Sequence, residues 1–316
     1  MKRKMEVSEL IFKIIAYIFL IIFAAMCIYP LIYALAASFS DKAAMEAGSV
    51  VILPMVGSNV GATIEAFKVA FMESQFWVNY ANTLFMAFIG TIWCLFYTIL
   101  GAYALSKKRL MGRHGFNFFL VFTMWFSAGV VATALNYTRT SDIFASIVGQ
   151  TTSDIDLKWV VIIAMGMNAT NLILLRNSFE GVPSEIEEAA RIDGATELQV
   201  LMNVYIPMSK ATIATVALFF GISRWNGYFW AQKVIGSDQN YSWPVQVYIR
   251  DYIERYTTLT GKPLGDTEQA VVNSYHYSTT AVVYAMVVLA VIPILVIYPF
   301  IQKYFAKGVN MGGVKE

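Results

Sequence analysis

The chain has 316 residues, 58% of them hydrophobic and 14% charged, with a formal net charge of +2 and a mean hydropathy of +0.57. Soluble domains carry about 25% charged residues, and a water-facing surface this apolar would aggregate. The composition therefore excludes an ordinary soluble fold and suits a bilayer, while the small net charge offers no footprint for nucleic acid.

A spanning helix needs about 20 mostly apolar residues. Six stretches meet that length, at about 11–37, 77–105, 116–135, 159–179, 211–235 and 279–304. They predict an all-α polytopic membrane protein, one transmembrane domain over 1–316. The first stretch follows Lys2, Arg3 and Lys4 but is too long for a signal-peptide core, so it reads as a retained helix. With the N-terminus inside, the inner connections hold twice as many Lys and Arg as the outer ones, from Lys107, Lys108, Arg109 and Arg113 to Arg176, Arg191 and Lys210. By the positive-inside rule both termini are expected in the cytoplasm. The outer connections are then about 38–76, 136–158 and 236–278, and the last is long enough to hold short structure or a docking surface.

Titratable chemistry is sparse. Cys27 and Cys94 lie in apolar runs and read as small buried hydrophobes. His114 and His276 are far apart in the chain, so no metal set is expected. An integral-membrane enzyme would need clustered His, Asp or Cys. An ion-driven transporter would need carboxylates within spans. Neither pattern is present in the sequence.

The inner connection between the fourth and fifth stretches, about 180–210, carries the clearest local signals. Pro183 stops what precedes it. Ser184 and Glu187 stand at capping-box spacing, Glu185 and Glu187 suit a helix N-terminus, and Glu187 pairs with Arg191 at i,i+4. Gly194 is placed to end the helix. Thr196 and Gln199 cap a second short helix, expected to stop before Pro207. The result is a helix of about ten residues, roughly 15 Å long, with a flat face at Ala189 and Ala190 suited to a cytoplasmic partner.

Here the sequence resembles a known family. Glu188-Ala189-Ala190, then Gly194, then Val204, Ile206 and Pro207, match the conserved loop of binding-protein-dependent ABC importer permeases, with Val204 and Ile206 in place of the usual Ile and Leu. The run Ile186 to Gly194 is similar to the carbohydrate-uptake branch. Asn168, Leu174, Arg176 to Phe179 and Trp225-Asn226 fit as well, and the tail Lys307-Gly308 to Gly313-Val314-Lys315 resembles that of the second maltose permease and its relatives, nearest to permeases for complex oligosaccharides. Ala211 departs from the proline common in the family.

The resemblance implies six transmembrane helices and a cytoplasmic coupling helix between the fourth and fifth. It implies a multi-pass permease of the bacterial cytoplasmic membrane, moving sugar by ATP-driven alternating access, with a non-sugar solute as the alternative. Glu188, Ala189, Ala190, Asp193, Gly194 and Pro207 would be the coupling residues, with Glu188 as a polar contact and Gly194 as the turn. The implied partners are a second permease in a heterodimer, two cytoplasmic ATPases, an extracellular sugar-binding protein and membrane lipid. The chain has no phosphate-binding Gly-Lys-Ser/Thr loop, so no cofactor is expected on it; ATP and magnesium would sit on the ATPase. No catalytic residue and no metal ligand is expected.

Polar residues within spans face cavities or other helices. Asn168 and Asn171 stand i,i+3 in the fourth stretch; Arg224 and Tyr228 stand i,i+4 in the fifth, beside Trp225. These five are candidates for the translocation path, since sugars stack on aromatics and pair with Asn and Arg. Two plainer readings stay open: an interfacial aromatic belt with a snorkelling Arg, and asparagines that join helices.

Overall fold

The computed structural model describes residues 7–126, 129–257 and 263–308; the Lys2 to Lys4 run and the Gly313 to Lys315 tail lie outside them. In chain order the elements are α1 (Val7–Ser38), α2 (Lys42–Glu46), the two-stranded hairpin β1 (Met55–Val56) and β2 (Asn59–Val60), α3 (Glu65–Met72), α4 (Ser74–Ser106), α5 (Arg113–Trp125), α6 (Gly129–Val148), α7 (Leu157–Ala164) and α8 (Ala169–Glu180). There follow α9 (Ser184–Ile192), α10 (Glu197–Val200), a π-helical turn (Leu201–Tyr205), α11 (Ile206–Met208), α12 (Lys210–Asn226) and α13 (Tyr228–Val234). A 3-10 turn (Ser237–Ser242), α14 (Val245–Tyr256), α15 (Asp266–Ser274) and α16 (Thr279–Gly308) complete the chain.

Among the described residues, three helices are long and apolar enough to cross a membrane: α1, α4 and the start of α16. Three bent pairs meet the same test together, which makes up to six crossings: α5 with α6 at 116°, α7 with α8 at 51°, and the run 197–208 with α12 at 86°. The expected third, fourth and fifth spans are therefore not single straight helices. Their residues have the right hydropathy, but hydropathy does not register a local break. Gly129 opens α6 at φ +77°, residues 165–168 separate α7 from α8, and Gly227 separates α12 from α13. The stretch 136–158, expected as an outer connection, is mostly the second half of α6. The stretch 236–278 does contain short helices.

The chain divides into two compact units. The first comprises 1–76 and 249–292. Its small core joins Ala36, Ala37, Ala44 and Val50, flanked by Tyr33 and Tyr284, whose rings meet edge to face at 5.4 Å. Asp41 caps α2 by accepting from the Ala44 N–H at 2.8 Å. Lys42 Nζ donates to the carbonyls of Tyr275 (2.8 Å) and Asn273 (3.3 Å). The first part of α1 is apolar and exposed, with Phe12 at 73% and Met26 at 70%. Cys27 is exposed on it, contrary to the buried placement expected.

The second unit comprises 77–248 and 293–316. Among its described residues are two apolar cores, both involving α4. One gathers Met86, Tyr137, Val160, Val161, Ile162, Ala231 and Trp243. The other gathers Cys94, Ala102, Leu175, Phe179, Val204, Tyr205 and Phe220. Small residues on α4 admit its neighbours closely. A Cβ on Gly101 would lie 3.0 Å from Leu172, and one on Gly90 would lie 3.0 Å from Arg224 Nε.

Candidate functional site

The 180–210 loop folds by the rules its sequence obeys, with two departures. α9 has acidic residues in its first turn and Arg191 in its last, which complements the helix dipole. It ends in a Schellman motif: the Gly194 N–H bonds to the Arg191 carbonyl and the Ala195 N–H to the Ala190 carbonyl, both at 3.0 Å. Gly194 sits at φ +82° with open space where a Cβ would be, so the backbone conformation, not crowding, requires glycine there. Thr196 and Gln199 form the expected capping box.

Ser184, in contrast, makes no side-chain cap; Pro183 occupies the cap position. Glu187 is drawn elsewhere, to Lys107, Arg191 and Tyr205. The second departure is that the helix does not stop before Pro207. It runs on through the π turn, where the Ile206 N–H bonds to the Leu201 carbonyl. Widening the ladder by one residue shifts the carbonyl register just before the ring that lacks an N–H.

Most of the expected coupling residues stand at the surface: Glu188, Ala189, Asp193, Gly194 and Pro207 are exposed and Ala190 is half-buried. Around them the structure adds apolar tips missed in the sequence, Ile192 at 85% and Leu198 at 65% exposed. Beneath the loop lies a polar network that joins it to the end of α4. Lys107 Nζ is 2.8 Å from Glu187 Oε2 and sits over the rings of Tyr205 (3.9 Å) and Tyr103 (4.2 Å). Glu197 accepts from Tyr103 at 2.8 Å and Arg191 at 2.5 Å, and pairs with Arg109.

The Arg109 hydrogen bond, with help from Tyr103 and Arg191, holds the Glu197 carboxyl down to about 2. Burial pushes Glu187 up, but the bonds from Lys107, Tyr205 and Arg191 outweigh it and the net shift is downward. Burial lowers Lys107 against the pull of Glu187. Arg113 and Arg176 pair with Glu180 just ahead of α9. The signal for this network was present as charges at the ends of α4 and α9, but its pairing spans about 90 residues and no local rule carries that far.

The five path candidates separate. Asn168 and Asn171 do not share a helical face: Asn168 lies in the α7–α8 break and caps α8, accepting from the Asn171 N–H at 3.2 Å. Arg224 is neither a snorkelling residue nor free. Its Nη1 donates to the Val161 carbonyl (3.1 Å) and its Nη2 to those of Ile162 (3.1 Å) and Met165 (2.7 Å) and to Cys94 Sγ (2.9 Å). Cys94 in turn donates to the Met165 and Gly166 carbonyls. Arg224 thus satisfies the last-turn carbonyls of α7, which have no helical partner.

Asn168, Asn171 and Arg224 line one cavity of about 570 Å³, with Tyr137, Ser223 and Trp230. Trp225 and Tyr228 line a separate pocket of about 20 Å³ that also touches Arg224. Among the described residues no group of three or more His, Cys, Asp or Glu could hold a metal.

Comparison with known proteins gives a consistent answer. Residues 104–311 match the family described as "Binding-protein-dependent transport system inner membrane component". The chain is 33% identical to the polygalacturonan/rhamnogalacturonan transport system permease YtcP of Bacillus subtilis (strain 168), over 96% of this chain and 98% of that one. It is 28% identical to the maltodextrin transport system permease MdxG of the same organism, covering 98% of each. A chain from the crystal structure of a bacterial ABC transporter that imports the acidic polysaccharide alginate superposes with a TM-score of 0.80 at 37% identity, covering 96% of this chain and all of that one. The chain therefore belongs to the binding-protein-dependent transport system inner membrane components, and is the permease of a sugar- or oligosaccharide-importing ABC transporter.

Proposed function

We propose that α9 and α10 form the element through which a separate cytoplasmic ATPase drives this permease, and that the passenger is an acidic oligosaccharide. The observation that supports the first part is the rigid, exposed knob. α9 is capped at its C-terminal end, carries Glu188, Ala189 and Asp193 outward, and is held from below by the Lys107–Glu187 pair. A short helix with both ends fixed transmits a push as a rigid body instead of absorbing it. Glu188 supplies a polar contact, and Ile192 and Leu198 supply the apolar ones.

The relatives support the second part. Of the three compared, the two more identical ones carry polygalacturonan or rhamnogalacturonan and alginate in their names, and the maltodextrin relative is more distant. On this reading the chain crosses the cytoplasmic membrane six times with both termini inside. It works beside a second, different permease, with two ATPases that bind ATP and magnesium, and with a binding protein that delivers sugar outside.

The test is reconstitution of the complex in liposomes with its binding protein. Trigalacturonate-loaded binding protein is expected to stimulate ATP hydrolysis and drive uptake. A chain that recruits no ATPase, or hydrolysis indifferent to every oligosaccharide tried, would contradict the coupling reading.

A further inference from the structure

We propose that the cavity at the break between α7 and α8 is a carboxylate subsite, which reads the uronate groups of a passing oligosaccharide. The proposal rests on the acidic-oligosaccharide reading above and assigns that reading a place in the molecule.

Cutting a helix leaves ends of opposite sign, each equivalent to about half an elementary charge. The negative end, at α7, is covered by Arg224 through the carbonyls of Val161, Ile162 and Met165. A full positive charge over half a negative one leaves about +0.5 there. The positive end, at α8, is open. Asn168 takes the Asn171 N–H, but the N–H groups of Ala169 and Thr170 have no partner among the described residues. Both ends border the same cavity, and its lining holds no Asp or Glu.

A second observation points to a ligand independently of the helix end. Asn171 is only 7% exposed and lines this cavity, yet its side-chain amide has no hydrogen-bond partner among the described residues. Its amide reaches the cavity with its donors unused by the protein, so an acceptor that enters the cavity can take them. A carboxylate oxygen is the acceptor that also suits the positive surroundings. Trp230, stacked on Tyr137 at 5.1 Å, offers a face for the sugar ring. The volume is in the range that holds a small molecule. An adjoining space of about 460 Å³ shares Met167, Asn168 and Thr170 with it, giving room for a second sugar unit.

The experiment measures binding to the complete transporter in nanodiscs, without binding protein, using trigalacturonate, its methyl ester and maltotriose. Trigalacturonate is expected to bind at least about tenfold more tightly than its ester. Asn171→Asp, which places a like charge opposite the ligand, is expected to weaken trigalacturonate by about tenfold or more while leaving maltotriose within about twofold. Equal binding of acid and ester, or of trigalacturonate to wild type and N171D, would overturn the subsite; so would the absence of trigalacturonate binding. Binding-protein-driven uptake separates the two levels. Trigalacturonate uptake that N171D leaves unchanged removes the subsite and keeps the acidic substrate, whereas uptake of maltotriose alone removes the acidic-oligosaccharide reading itself.

Discussion

Two of the helix interruptions in the second unit are resolved in opposite ways. At α9–α10 the interruption is closed locally. A Schellman turn at Gly194 and a capping box at Thr196 satisfy the helix ends from within ten residues, and a surplus of charges locks the loop to α4. At α7–α8 distant side chains close the carbonyl end, chiefly Arg224 about 60 positions away, with Trp93 and Asn136 on the Ile163 and Ala164 carbonyls, and the amide end is left open to a cavity. The first arrangement closes its turn from within and suits an element that moves as a body. The second keeps unused hydrogen-bonding capacity, as a binding site must.

Substitutions can break this contrast. The largest effect is expected from Arg224→Met, which strips partners from three carbonyls and from Cys94; each buried unpaired group costs about 1–3 kcal/mol. Thermal unfolding of the purified transporter should shift strongly, and retention of the wild-type midpoint would show that the α7 end is solvated after all. Lys107→Met comes next. It leaves Glu187, whose side chain is 16% exposed, with Arg191 but without the second cation at 2.8 Å. The expected cost is about 1–3 kcal/mol, read as faster amide exchange across 184–205. The double change K107E/E187K should recover part of that loss, and no recovery would mean the pair is incidental. Thr196→Ala removes the α10 cap and should cost about 1 kcal/mol.

A smaller effect follows from pH. Glu197 holds its proton less readily in the folded loop than its ordinary 4.5, at about 2. Its contribution is therefore complete at neutral pH and fades as pH falls from 4.5 toward about 2. The group is half exposed, so solvent screens the effect. Acid-dependent exchange of α10 that is absent in Glu197→Gln would confirm the direction. Ser184→Ala should change almost nothing, because the hydroxyl makes no cap; loss of loop order there would restore the capping box that the structure lacks.

The sequence was most legible where chemistry is local. The span positions near α1, α4 and α16 follow from hydropathy summed along a continuous run, and the Gly194 turn, the Thr196–Gln199 box and the Glu187–Arg191 pair follow from the spacing of near neighbours. It was least legible where a backbone break or a distant partner decides. In the run Val160 to Asn171 only Gly166 and the capping residue Asn168 mark a helix end, and nothing near Arg224 names Val161 as its acceptor. The Gly90 and Cys94 spacing on α4 was the one available signal, because small residues four apart let another helix or a guanidinium come close. Asn168 and Asn171 stood out as polar residues in an apolar stretch, and the structure gives them different places: Asn168 caps α8, while Asn171 stands on the cavity wall.

The central claim is that the Gly194 turn orients a coupling knob, and one pair of substitutions tests it. Gly194→Asn can hold the left-handed conformation, while Gly194→Val resists it by about 1–2 kcal/mol or more; space is open at the position for either side chain. Binding-protein-stimulated ATP hydrolysis in liposomes should persist in the Asn variant and collapse in the Val variant, with both proteins inserted and folded. Equal stimulation in the two would contradict the account, because the turn would then have no part in coupling.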